Sequence, residues 1–209
     1  PINKITGNSI EIPSGYSIVN APSGSGSSFI NLSNINMWRK SGSGTLTWDS
    51  VENAFKAVGH VQMYLKPEYA YKIDRNKTYT IKVTAKVADY DNQRFYWGGE
   101  RLDSNRNRLE GFGGTYDYSA ASAVSTGNMG WKTYTATKSG TAANASGWGT
   151  DTEYFAVGGL LNYQTNSSQV TWVKNIELYE NEVLVQSMEP SVSGMSGKVL
   201  RTTASSPRM

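Results

Sequence analysis

Aromatic side chains are the chain's largest resource for chemistry: six Trp and thirteen Tyr in 209 residues. Sugars present CH-rich faces that stack on such rings, while Asn, Gln, Asp and Arg hydrogen-bond their polar rims. Position decides which rings are free to do this. Trp131 and Trp172 lie inside strongly patterned segments and are expected in a core. Trp148 lies in a Gly/Ser/Ala-rich stretch, and Tyr116 and Tyr118 in another. Trp97 sits in a run where it can face either way. Trp97, Tyr116, Tyr118 and Trp148 are therefore the residues expected to stack on a glycan, if one is bound.

The other reactive groups are sparse. The single histidine, His60, falls within a predicted strand with no supporting base, so neither a triad nor a His-based metal centre is expected. Cysteine is absent, which excludes disulfides and thiolate chemistry and removes the commonest zinc ligand. Carboxylates lie close in sequence at Asp49/Glu52, Glu100/Asp103, Asp151/Glu153 and Glu177/Glu180. A glycosidase, however, needs two at a defined separation across a cleft. Asp103 and Asp151 are better explained as turn residues. Gly98-Gly99 and Gly111-Phe-Gly-Gly114 lack the lysine and following helix of a phosphate loop. No catalytic residue is assigned, and an enzyme is not expected.

The elements that must position these groups read as strands. Tyr79, Ile81, Val83, Ala85 and Val87 alternate with Thr80, Lys82, Thr84 and Lys86, which gives one dry face and one wet face. Strands are also expected at Phe29–Trp38, Thr45–Trp48, Val58–Leu65, Arg94–Leu102, Trp131–Thr137, Glu153–Tyr163 and Val170–Tyr179. Asp103–Asn107 is a hairpin turn, with Leu109 opening the return strand. Ser50–Ala57 is the one helix-like window, of at most a turn, and 111–130 and 142–152 read as long loops. Charged residues make up only 18% of the chain, and its 21 glycines fit many short strands joined by tight turns. The expected fold is an all-β, antiparallel two-sheet sandwich of jelly-roll type with extended terminal segments. Residues 1–28 form a polar arm or linker, 29–186 the sandwich, and 187–209 an extended tail or linker.

Net charge is +3 with scattered basic residues, so no nucleic-acid groove is expected. No apolar run is long enough to span a membrane. The chain opens Pro1-Ile-Asn-Lys without an apolar h-region, so no secretory signal is expected there; release by host lysis would need none.

Three segments carry a family resemblance. Lys72-Ile-Asp-Arg-Asn-Lys-Thr-Tyr-Thr-Ile-Lys-Val-Thr-Ala-Lys86 resembles a strand of the carbohydrate-binding-module jelly rolls. Tyr96-Trp-Gly-Gly-Glu-Arg-Leu-Asp-Ser-Asn-Arg-Asn107 is similar to the strand and acidic turn that follow in variants on phage tail fibres and other virion proteins. Trp131-Lys-Thr-Tyr134, Tyr154–Tyr163 and Val173-Lys-Asn-Ile-Glu-Leu-Tyr179 resemble the closing half. The resemblance implies a virion structural protein (tail fibre, spike or capsid appendage), located in the virion. Such a protein is a homo-oligomer, assembles with other virion proteins through its termini and contacts host polysaccharide. The alternative it implies is a carbohydrate-binding module or adhesin domain of a secreted bacterial protein, located extracellularly. No cofactor is expected beyond the structural calcium many such domains carry, partly held by an Asp in the final strand. Here that neighbourhood reads Lys174-Asn175-Ile176, and Glu11, Glu52 and Glu177 are the remaining candidate ligands.

Overall fold

The computed structural model describes residues 4–6, 9–11, 30–87, 94–109, 117–125, 129–163 and 169–188. Its strands are β1 (Lys4–Thr6), β2 (Ser9–Glu11), β3 (Ile30–Asn31), β4 (Trp38–Ser41), β5 (Thr45–Asp49), β6 (Ala54–Val58), β7 (Val61–Leu65) and β8 (Tyr71–Lys72). There follow β9 (Thr78–Val87), β10 (Arg94–Leu102), β11 (Asp117–Ser125), β12 (Met129–Ser139), β13 (Tyr154–Tyr163), β14 (Val170–Glu180) and β15 (Val183–Ser187). Apart from the small β1–β2 hairpin, they form two sheets. A six-stranded sheet runs β11-β10-β13-β7-β4, with β8 beside β13. A seven-stranded sheet runs β12-β9-β14-β15-β3, with β6 on β14 and β5 on β6. Every pairing is antiparallel except β15 with β3. This is the predicted all-β two-sheet sandwich.

Period-2 alternation builds the core. Tyr79, Ile81, Val83, Ala85 and Val87 of β9 are buried, as their spacing predicts, and the first four share a core cluster with Phe55, Val61, Met63, Leu65, Phe155, Val157, Leu161 and Val173. Phe95 and Trp97 of β10 stack at 6.1 Å inside. Trp148 reaches the same core from a loop, edge-on to Tyr79 at 5.4 Å and to Phe155 at 5.0 Å. Both tryptophans have no exposed surface. The expectation that Trp97 and Trp148 offer rings to a glycan is corrected: they fill the space between the sheets.

The loop over 140–152 is polar in composition because its polar side chains and its backbone bond one another: Asn144 Oδ1 accepts from the Ser146 N–H, and the Thr152 hydroxyl donates to the Trp148 carbonyl. Trp148 N–H donates to the Gly140 carbonyl and Gly149 N–H to the Ala142 carbonyl. Arg75 Nη1 donates to the Thr150 and Thr152 carbonyls at 2.6 and 2.8 Å. Beneath the loop, the ammonium of Lys138, fully buried, lies 2.7 Å from the Asp117 carboxylate and donates to the Ala145 carbonyl at 2.8 Å. Arg101 Nη1 donates to the Trp148 carbonyl at 3.2 Å. Lys138 belongs to one sheet and Asp117 to the other, so this ion pair ties the layers together.

Several local expectations change. Ser50–Ala57 is no helix: Asp49 Oδ1 accepts from the Val51 and Glu52 N–H groups, making a tight turn between β5 and β6. Val58–Leu65 is two strands, broken at Gly59-His60 where the chain passes from one sheet to the other. His60 is therefore a turn residue, not a mid-strand one. Phe29–Trp38 is interrupted by a 3-10 turn over Ile35–Met37. Residues expected as loop within 111–130 supply β11. The return at Leu109 reduces to a single bridge, Leu102 with Arg108. Asp103 makes its turn as expected, accepting from the N–H groups of Asn105 and Asn107 at 2.8 Å each. β15 continues through Ser187, and Met188 is buried. Most of the arm and residues 189–209 lie outside the described residues.

Candidate functional site

The same alternation that sends Phe95 and Trp97 inward sends Tyr96 outward from the six-stranded sheet. Val61, Met63 and Leu65 point in, so Gln62 and Tyr64 point out; Trp38 points in, so Arg39 and Ser41 point out. Tyr118 joins them from β11.

Glycines shape this face. Gly98 of β10 pairs with Gly158 of β13, and Gly158 with Tyr64 of β7. A Cβ on Gly158 would sit 2.5 Å from Tyr64 Cδ1 and 2.4 Å from the Met63 carbonyl oxygen. The missing side chain therefore lets the Tyr64 ring lie down across the sheet. Its hydroxyl meets that of Tyr118 at 3.0 Å. The Tyr118 ring lies 4.9 Å from Tyr96, Tyr96 lies 5.7 Å from Tyr163, and Tyr163 lies 5.5 Å from His60. These four rings form one continuous, partly exposed row.

Polar groups border the row. The Arg39 guanidinium lies 5.7 Å over the Tyr64 ring and ion-pairs with Glu100, whose carboxylate is buried. Ser41 Oγ donates to Gln62 Oε1 at 3.2 Å. Arg39, Lys40, Ser41, Gln62, Tyr64 and Glu100 line a shallow pocket at this end. At the other end burial pushes the pKa of His60 below the usual histidine value. The arrangement offers flat apolar rings edged by donors and acceptors, which is what a sugar ring meets well.

The outer face of the seven-stranded sheet is also aromatic, against expectation. Trp131 and Trp172, expected in the core, are partly exposed on this face. Trp172 pairs across strands with both Lys86 and Lys56, and their ammoniums lie 4.6 and 5.5 Å from its ring. Lys86 also lies 5.2 Å and Lys174 3.7 Å from the Trp131 ring. Trp172 Nε1 donates to Asp49 Oδ2 at 2.9 Å, and Lys86 ion-pairs with Glu52.

Of the four residues expected to stack on glycan, Tyr118 alone is placed in the tyrosine row. Trp97 and Trp148 are buried, and Tyr116 lies outside the described residues. The cation candidates do not converge: Glu52 pairs with Lys86, and Glu177 accepts from the Tyr179 hydroxyl at 2.7 Å. Glu11 lies on the separate β1–β2 hairpin, and its side chain is outside what is described. Among the described residues no three His, Asp or Glu side chains gather as metal ligands. Tyr64, Tyr96, Tyr163 and Arg39 went unrecognised as site residues in the sequence, where Glu100 figures only as a carboxylate beside Asp103. Strict alternation from the apolar residues on either side of Tyr96 and Tyr64 was the signal that would have found those two.

No family model and no curated protein sequence matches the chain. Among solved structures it is similar to the CBM22-1 xylan-binding domain of Paenibacillus barcinonensis Xyn10C, at 13% identity and a TM-score of 0.46, covering 77% of this chain and 90% of that one. It is similar to a CBM4 domain at 16% identity and a TM-score of 0.44, over 69% of this chain and 95% of that one. A third similarity is to the enzymatically active domain of tailspike protein 4 of bacteriophage CBA120, at 11% identity and a TM-score of 0.47, over 71% of this chain and 20% of that one. The fold assignment rests on the two sheets described above.

Proposed function

We propose that this chain is a non-catalytic glycan-binding β-sandwich whose ligand lies along the tyrosine row of the six-stranded sheet. The observation that carries the reading is the continuous series Tyr118, Tyr96, Tyr163 and His60, with ring centroids 4.9 to 5.7 Å apart on a solvent-facing sheet. Rings that touch one another are held rigid, so little side-chain entropy is lost when a sugar stacks on them. Gln62, Ser41 and the tyrosine hydroxyls supply orienting hydrogen bonds. The carboxylate at the site, Glu100, is tied to Arg39, which favours binding over acid–base chemistry.

The setting we favour is a virion appendage, on the strength of the sequence resemblance over residues 72–86, 96–107 and 131–179. In that setting the chain is a homo-oligomer. A free-standing module of a secreted protein carries the same site as a monomer.

Binding is tested by calorimetry against neutral soluble polysaccharides such as xylan, β-glucan and dextran. Tyr96→Ala with Tyr118→Ala is expected to weaken the best of these interactions about thirtyfold, taking stacking on an aromatic ring at roughly 1 kcal/mol per ring. Loss of binding without loss of thermal stability is the supporting result. Full affinity in that variant would sink the tyrosine row as the site. Light scattering addresses the setting: a monomer at every concentration counts against the appendage.

A further inference from the structure

Four lysines on the opposite sheet are held over aromatic rings in one diagonal stripe. Lys56 and Lys86 flank Trp172, Lys174 covers Trp131, and Lys82 lies 4.5 Å over Tyr179. Lysine loses much rotamer freedom when fixed, and the rings have already fixed these. Lys82 and Lys174 form no ion pair among the described residues. Lys86 is paired with Glu52, but at Lys82 and Lys174 an anionic partner meets ordered ammonium groups that have no carboxylate partner among the described residues, which lowers the cost of association.

We propose that this lysine–tryptophan face is a second binding site, independent of the tyrosine row, for an anionic polysaccharide of the polyuronate class. The ammoniums cover ring faces that a neutral sugar or a nucleobase would need for stacking, so charge is what the ligand encounters first. Lys56 and Lys86 sit on either side of Trp172 in register, their backbones two strand spacings, about 9.5 Å, apart. The stripe contains no arginine, the residue whose planar fork best matches phosphate, which favours carboxylate over nucleic acid.

Biolayer interferometry on immobilised polygalacturonate tests this, with dextran and double-stranded DNA as comparison surfaces. The wild type should bind polygalacturonate and release as salt is raised. Lys56→Gln with Lys174→Gln should weaken binding about tenfold, taking surface ion pairs at up to roughly 1 kcal/mol each. Lys56→Arg with Lys174→Arg should stay within a few-fold, and the Tyr96→Ala, Tyr118→Ala variant should bind as the wild type does. The proposal is overturned if the wild type ignores polygalacturonate at low salt. It is equally overturned if DNA is bound as well and lost in the same variant, which would make this a nucleic-acid face. A concentration-dependent dimer that the glutamine variant abolishes, without polyanion binding, would assign the stripe to self-association instead.

Discussion

The ion pair between Lys138 and Asp117 makes an asymmetric prediction about stability. Lys138 is fully buried, its ammonium 2.7 Å from the Asp117 carboxylate, whose side chain is 3% exposed. Arg101 is buried beside them and interacts electrostatically with Asp117. One carboxylate thus serves two buried cations. Burial pushes the pKa of Lys138 down, and Asp117 holds it up. Asp117→Asn leaves Lys138 without its counter-charge and Arg101 with only the influence of Asp151, and removing one partner of a buried pair costs about 3–5 kcal/mol. Lys138→Met leaves Asp117 still facing Arg101. Its cost is one orphaned carbonyl at Ala145, about 1–3 kcal/mol, offset in part by apolar packing of Met against Trp148. Urea unfolding with a shared m-value measures both. The expected order is Asp117→Asn well below Lys138→Met, by at least about 1 kcal/mol. If Lys138→Met proves equally or more damaging, Arg101 is not sharing the carboxylate, and the reasoning fails.

Two further perturbations read the site itself. His60 is the chain's only histidine, so its NMR titration is unambiguous. Its pKa in the fold is lowered by burial, so its stabilising effect is fully present above the ordinary value of 6.5 and lost as pH falls through the lowered one. The imidazole midpoint should lie below 6.5, and His60→Gln should flatten that acid-side loss; a midpoint at or above 6.5 contradicts the burial. Gly158→Ala places a Cβ 2.5 Å from Tyr64 and 2.4 Å from the Met63 carbonyl. It should cost about 1–3 kcal/mol by overpacking and weaken glycan binding by lifting Tyr64; a variant with wild-type stability shows that the ring does not rest on this glycine.

Architecture was legible wherever apolar and polar residues alternate without exception, as in β9, whose every odd-numbered residue from Tyr79 to Val87 is buried. The surface was less legible, and β12 shows why. Lys132, Tyr134, Ala136 and Lys138 share one parity, while Trp131, Thr133, Thr135 and Thr137 share the other. Trp131 is expected in the core because it lies inside a strongly patterned segment. The buried pair with Asp117 reverses this: Lys138 is inside with Tyr134, so Trp131 is outside. The burial of Lys138 is unreadable from spacing, because its partner Asp117 lies on β11, distant in sequence. Trp148 was misplaced by the opposite route. Its neighbours are polar, yet their polarity serves the loop's own backbone and leaves the indole as the one group that can fill the core.

The buried charges and the two outer faces are linked through the same strands. Asp117 sits one residue from Tyr118, and Arg101 one residue from Glu100, so the pair under the loop holds β10 and β11 where the tyrosine row crosses them. Lys138 lies on β12 with Trp131, at the edge of the lysine stripe. A two-sheet sandwich can slide its layers with little change in apolar area, because hydrophobic burial is non-directional. A directional contact between layers removes that freedom. The ion pair across the sheets therefore fixes the register of two surfaces with different chemistry, one a row of tyrosine rings and the other lysine ammoniums held over tryptophan and tyrosine.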